Sequence, residues 1–168
     1  MAAASPAAGA GASSPARAPG GGGGGPLPEA CAVFFEPRAW SRRFGPAHFT
    51  VDMPAVGVDG GGVYALFNVR VRSGDVAWTL RRRYRELHAF AESLPAALGG
   101  AAGAGSPFPP KTFFRDVSPA FLEARRGALE GWLHALLRAP GACLDGSVRR
   151  FLELDGGDAP RGPAAAPT

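Results

Sequence analysis

Residues 63–94 read VYALFNVRVRSGDVAWTLRRRYRELHAFAESL. Three patterns follow one another in this stretch. Val63, Ala65, Phe67, Val69 and Val71 alternate with Tyr64, Leu66, Asn68, Arg70 and Arg72. A period of two puts one set of side chains on each face of a strand. Ser73-Gly74-Asp75 supplies a short hairpin loop, and Val76, Trp78 and Leu80 resume the alternation up to Arg81-Arg82-Arg83. The period then changes. Leu87, Phe90, Ala91 and Leu94 fall at i, i+3, i+4 and i+7, the apolar stripe of a helix, and Pro95 ends it. A hairpin that feeds straight into a helix implies an α+β unit.

Working outward, Phe49, Val51 and Met53 alternate with Thr50 and Asp52, which predicts a further strand that Pro54 ends. Asp59-Gly60-Gly61-Gly62 reads as a turn. Downstream, residues 95–110 are rich in Gly, Ala and Pro and finish as Pro107-Phe108-Pro109-Pro110, which predicts an extended, polyproline-like loop. Ser118-Pro119 is a helix start, with a hydroxyl at the cap and Pro at the first helical position. Phe121, Leu122, Leu129, Trp132, Leu133, Leu136 and Leu137 form the expected buried stripe of that helix. On its polar face Arg126 and Glu130 read as a surface ion pair at i,i+4. Pro140-Gly141 stops it, and Val148, Phe151, Leu152 and Leu154 predict a short last helix. The expected architecture is a three-stranded antiparallel meander packed on a helical layer, with a Pro-rich loop between helices.

At 168 residues the chain has room for one domain of ordinary size. Its 25 Gly and 17 Pro are unevenly spread. Residues 1–30 hold ten Ala, eight Gly, five Pro and three Ser, so they lack the large apolar side chains that offset the entropy of ordering. They are expected to be a disordered leader, and residues 156–168 a disordered tail. Residues 31–45, with Phe34, Phe35 and Trp40, read as an accessory segment packed on a domain that spans 46–155. There is no run of about 18 apolar residues to cross a membrane. MAAASPAAGA lacks the charged start and apolar core of a secretory signal, and Met-Ala excludes N-myristoylation. Cys31 and Cys143 are too few for a disulfide framework or a zinc site and are expected as free thiols. Neither paired carboxylates, nor a nucleophile elbow, nor metal-ligand spacing is present, so no enzyme, cofactor or metal is expected. The Gly-rich runs are not phosphate loops: Gly20–Gly25 follows no strand, and Pro110 precedes Lys111 where a P-loop needs Gly.

The net charge is +4, and of 18 basic residues all but Lys111 are Arg. Three cationic groups come from different elements: Arg81-Arg82-Arg83 at a strand end, Lys111 in a loop, and Arg125-Arg126 on a helix. Tyr84 follows the first. Arg offers phosphate a planar two-pronged donor, Lys a point charge, and an aromatic face covers a ring, so together they suit a phosphorylated ring.

The order Arg82-Arg83-Tyr84-Arg85-Glu86-Leu87-His88, then Phe108-Pro109-Pro110-Lys111, then Glu123-Ala124-Arg125-Arg126-Gly127-Ala128-Leu129-Glu130 resembles the phox-homology (PX) domain family. The resemblance runs over roughly residues 46–155, and Met53-Pro54-Ala55-Val56-Gly57 is most like the small single-PX sorting nexins. It implies a PX fold and a non-enzymatic module that binds phosphoinositides, by family default phosphatidylinositol 3-phosphate. It also implies membrane recruitment in endosomal sorting and trafficking, on the cytosolic face of early endosomes. By the same resemblance Arg83 grips the 3-phosphate, Tyr84 packs under the inositol ring, Lys111 meets the 1-phosphate and Arg125 bonds the 4- and 5-hydroxyls. Phe113 and Phe114 would enter the bilayer, with core packing open as the other role of Phe114. The departures are Leu87 where the family has Phe, and a Gly/Ala-rich loop at 95–107 that is expected to be floppy. The alternative on this fold is a protein-interaction adaptor that binds no lipid and docks partners through the leader or the Pro-rich loop. A nucleic-acid surface on Arg70, Arg72 and Arg81–Arg83 is not expected, since few aromatics interleave with them.

Overall fold

The computed structural model describes residues 32–39, 48–59, 61, 64–112 and 116–155. The expected leader and tail, Cys31, Trp40, Val63 and the Phe113–Phe114 pair with Arg115 lie outside these residues. The sheet has the strand order β1-β2-β3-β4, with β1 Val33–Phe34, β2 His48–Val58, β3 Ala65–Ser73 and β4 Val76–Arg83. The β2–β3 and β3–β4 pairs form the expected antiparallel meander. The alternation read from the sequence holds through β3 and in part beyond it: Phe49, Val51, Met53, Phe67, Val69, Val71 and Leu80 are buried, but Thr50 is buried as well, Trp78 only partly, and Val76 is exposed.

Two expectations about the sheet need correction. It has four strands, not three, and is mixed, because β1 runs parallel to His48–Phe49. A strand of two residues is too short to show any alternation. Nor does Pro54 end β2. The strand runs on to Val58 through a register shift between Asp52 and Ala55. A bulge removes a residue from the ladder, so the N–H that Pro lacks is not needed there.

The helices are α1 Tyr84–Ser93, α2 Ala96–Gly105, α3 Pro119–Arg138 and α4 Gly146–Leu152, with a 3-10 turn at Ala142–Leu144. The second helix corrects the expected floppy loop. Ala is the strongest helix former, and five of the ten residues of α2 are Ala. Gly105 at its end and Gly131 of α3 serve close packing between the two helices. A Cβ at Gly105 would lie 3.0 Å from the Ala135 Cβ, and one at Gly131 would lie 3.2 Å from the Ser106 hydroxyl. The expected start of α3 at Ser118-Pro119 is correct in place, although the Ser118 hydroxyl makes no cap bond. Leu122, Leu129, Trp132, Leu133, Leu136 and Leu137 of α3 are buried, whereas Phe121, expected in the same stripe, is only partly buried because its ring faces Arg125. At about 1.5–3 kcal/mol per buried side chain, this stripe holds a helix that contains two glycines.

The polar side of α3 finishes an edge of the sheet. Backbone groups of alternate strand residues point to the same edge. On the outer edge of β2, Phe35 N–H donates to Phe49 O at 2.7 Å. Beyond the end of β1, side chains take over. His134 Nε2 meets Val51 O at 2.7 Å, Met53 N–H donates to Glu130 Oε1 at 2.8 Å, and Arg126 donates to Met53 O. Arg126 and Glu130 are therefore more than the expected surface pair. They supply the hydrogen bonds that a longer β1 would have made at the bulge.

On the other flank, Trp78 Nε1 donates to Leu152 O at 3.0 Å, and Phe151 stacks on Phe90 with ring centroids 3.9 Å apart. These contacts tie α4 to β4 and α1. Cys143 is half-buried, and that burial raises its thiol above the ordinary range, which favours the protonated form.

Candidate functional site

The site forms where β4 turns into α1. Arg83 is the last residue of β4 and the N-cap of α1, with extended backbone angles. Its N–H donates to Glu86 Oε2 at 2.7 Å, which satisfies a group that the helix cannot. Tyr84 is thereby the first helical residue. Its hydroxyl donates to Pro109 O at 2.7 Å, which fastens the Pro-rich stretch to α1. Phe108 supports this junction from within, with its ring centroid 5.8 Å from Tyr84, 5.6 Å from His88 and 4.8 Å from Trp132.

Arg125 completes the arrangement from α3. It donates to Pro110 O at 2.9 Å and to the Thr112 hydroxyl at 3.3 Å. Its guanidinium lies 4.3 Å from the Tyr84 ring centroid and 4.7 Å from that of Phe121. It is thus held by neutral oxygens and two ring faces. No carboxylate pairs with it among the described residues.

These elements enclose an open cavity of about 350 Å³. Tyr84, Arg85, His88 and Glu92 line it from α1, Lys111 and Thr112 from the loop, and Arg125 from α3. Burial raises the Tyr84 phenol above the ordinary tyrosine value. The Glu92 carboxylate acts in the same direction and the Arg125 cation opposes it. The hydroxyl therefore stays protonated and keeps its bond to Pro109. A second cavity, of about 400 Å³, lies between β1 and the end of α3, with Arg138 as its one charged wall residue. Among the described residues it gathers no set of cations.

Of the residues singled out in the sequence, Tyr84, Lys111 and Arg125 meet around one cavity. Arg83 adjoins it without lining it: its guanidinium lies over the Tyr64 ring, 4.0 Å from the centroid. Phe113 and Phe114 lie outside the described residues. Sequence reasoning passed over Arg85, His88, Glu92 and Thr112. The helical spacing could have found three of them, because Arg85, His88 and Glu92 follow one another at i, i+3 and i+7 on the face that Tyr84 begins.

A family model described as PX domain matches residues 70–155, half of the chain, from within β3 to just past α4. The chain belongs to the PX domain family. PX domains are, as a family, non-enzymatic modules that bind phosphoinositides and recruit proteins to membranes. Among solved structures, a designed CISK-PX domain is 22% identical, with a TM-score of 0.51, over 60% of this chain and 95% of that one. The mouse SNX19 PX domain with bound sulphate ion is 24% identical, with a TM-score of 0.45, over 62% of this chain and 94% of that one. The first of these likenesses supports the PX fold. No curated protein matches the chain. Among the described residues of this PX domain, no helix is long and apolar enough to cross a membrane.

Proposed function

We propose that the cavity takes the headgroup of phosphatidylinositol 3-phosphate and recruits this PX domain to membranes that carry it, on the cytosolic face of early endosomes. One observation carries the reading. Arg125 is fixed beside Tyr84 and Lys111 without a carboxylate to neutralise it. A buried or half-buried guanidinium in an ion pair is already satisfied, whereas this one keeps its charge for an incoming anion. In this reading Tyr84 lies under the inositol ring, Arg125 bonds ring hydroxyls and Lys111 takes the phosphate that joins the headgroup to the lipid. Arg83 swings from the face of Tyr64 onto the 3-phosphate. Phe113 and Phe114, two and three residues after Lys111, enter the bilayer. Each inserted Phe adds about 1.5–3 kcal/mol and each nearby basic residue about 1 kcal/mol on an anionic leaflet. Two weak signals of this kind together give stable recruitment.

The test is flotation with vesicles that contain phosphatidylinositol 3-phosphate, comparing the wild type with Arg125→Ala and Arg83→Ala. Both variants are expected to lose most binding. If both float as the wild type does, the headgroup reading fails, and the protein-interaction adaptor becomes the account to pursue.

A further inference from the structure

We propose that Glu92 makes this site selective for a headgroup with a single ring phosphate, by placing a fixed negative charge at the far end of an otherwise cationic cavity. The inference rests on the headgroup reading above and deepens it.

Among the described residues, Lys111, Arg85 and Arg125 give the cavity three cations, and Glu92 is the one carboxylate on its wall. The charges are arranged along α1. Arg85 belongs to the first turn, beside Tyr84, where the helix N-terminus favours an anion. Glu92 lies in the last turn, eight residues from Tyr84, or about 12 Å along the axis. No basic residue occupies that turn to offset the negative end of the helix. His88, between the two, places Nδ1 3.1 Å from Glu92 Oε2, which holds the carboxylate on the cavity side of the helix. Its charge reaches the site, since it opposes Arg125 in its action on the Tyr84 hydroxyl.

A ligand with one ring phosphate matches this polarity, with its anion at the cationic end and hydroxyls toward Glu92. A ligand with a second ring phosphate must bring that group toward the carboxylate or give up the first contact. Specificity then comes from repulsion of the wrong ligand as well as attraction of the right one. Because Glu92 is mostly exposed, the repulsion is screened by salt.

The experiment measures binding of the whole chain to phosphatidylcholine–phosphatidylserine vesicles that contain either phosphatidylinositol 3-phosphate or a bisphosphorylated phosphoinositide. The wild type, Glu92→Gln and Glu92→Ala are compared at low and high salt. The wild type is expected to prefer the monophosphate lipid. Glu92→Gln, which keeps an oxygen for His88 and removes the charge, is expected to strengthen binding of both lipids. It should strengthen the bisphosphate more, narrowing the preference roughly fivefold to tenfold at low salt and less at high salt. Glu92→Ala is expected to behave in the same way. An unchanged preference in Glu92→Gln overturns the proposal. So does a change confined to Glu92→Ala, because the contact with His88 would then be the cause. A wild type that binds both lipids equally overturns the proposal and leaves the headgroup reading standing. A wild type that binds neither lipid above vesicles without phosphoinositide overturns both.

Discussion

Arg125 and Arg126 are neighbours on α3 and serve opposite ends. Arg126 faces β2, where it bonds Glu123, Glu130 and the carbonyl of Met53. Every prong of its guanidinium is used within the fold, and its two carboxylates hold its charged form. Arg125 faces α1 and the Pro-rich stretch, where it meets two neutral oxygens and two aromatic rings. The same chemical group is structural where its charge is matched and available where it is not. Residue type therefore says little about role in this helix, and the acidity of the immediate surroundings says much.

The sharpest way to break this contrast is to remove each arginine in turn. Arg125→Ala is expected to weaken phosphatidylinositol 3-phosphate binding by about 2–3 kcal/mol, or roughly 30-fold to 150-fold, the range of charge-assisted hydrogen bonds. Its urea midpoint should stay near that of the wild type. Arg126→Ala is expected to do the reverse. It leaves Glu130 and the Met53 carbonyl short of partners and should lower unfolding stability by about 2 kcal/mol. Vesicle binding, measured well below the melting temperature, should be retained. If Arg126→Ala abolished binding in a folded protein, the division between the two sides of α3 would fall.

Lys111→Ala tests the cavity side more gently. A point charge near an anionic surface is worth about 1 kcal/mol, so a loss of roughly fivefold in vesicle affinity is expected, smaller than for Arg125. Tyr84→Phe removes the bond to Pro109 and should cost about 1 kcal/mol of stability at pH 8 in urea unfolding. The sign of its pH dependence follows from the raised phenol. The unfolded chain releases this proton first as the pH passes about 10, so the unfolded state binds fewer protons there. The stability that Tyr84 gives is complete below that point and is lost as the pH rises toward the folded value. The difference between wild type and Tyr84→Phe should therefore shrink between pH 9 and pH 11.

The meander, α1, α3 and α4 were legible because each carries several large apolar residues at one period. The pocket residues Tyr84, Lys111 and Arg125 were legible through family motifs, and their convergence through their residue types. Other features left no such trace. The two residues of β1 hold no period. The ten residues of α2 include one Leu and no other large side chain, so a composition that reads as loop is helical through Ala and through contact with α3. The tie of Arg126 to Met53 spans 73 positions in sequence, and local spacing shows only its bond to Glu130. Arg85 and Glu92 were visible at helical spacing, yet only the placement of the Pro-rich stretch shows which side of α1 is the wall of a cavity.

The small residues between α2 and α3 have a further consequence. Gly105 fits against Ala135 of α3 and Gly131 against Ser106 just past α2, and the chain leaves α2 directly into Pro107–Lys111. Arg125 rides on α3, and Lys111 stands six residues past the end of α2. A single methyl at Gly131 would press on the Ser106 hydroxyl by a few tenths of an ångström without touching any residue of the cavity. What looks in composition like filler sets how closely the elements that carry Lys111 and Arg125 pack.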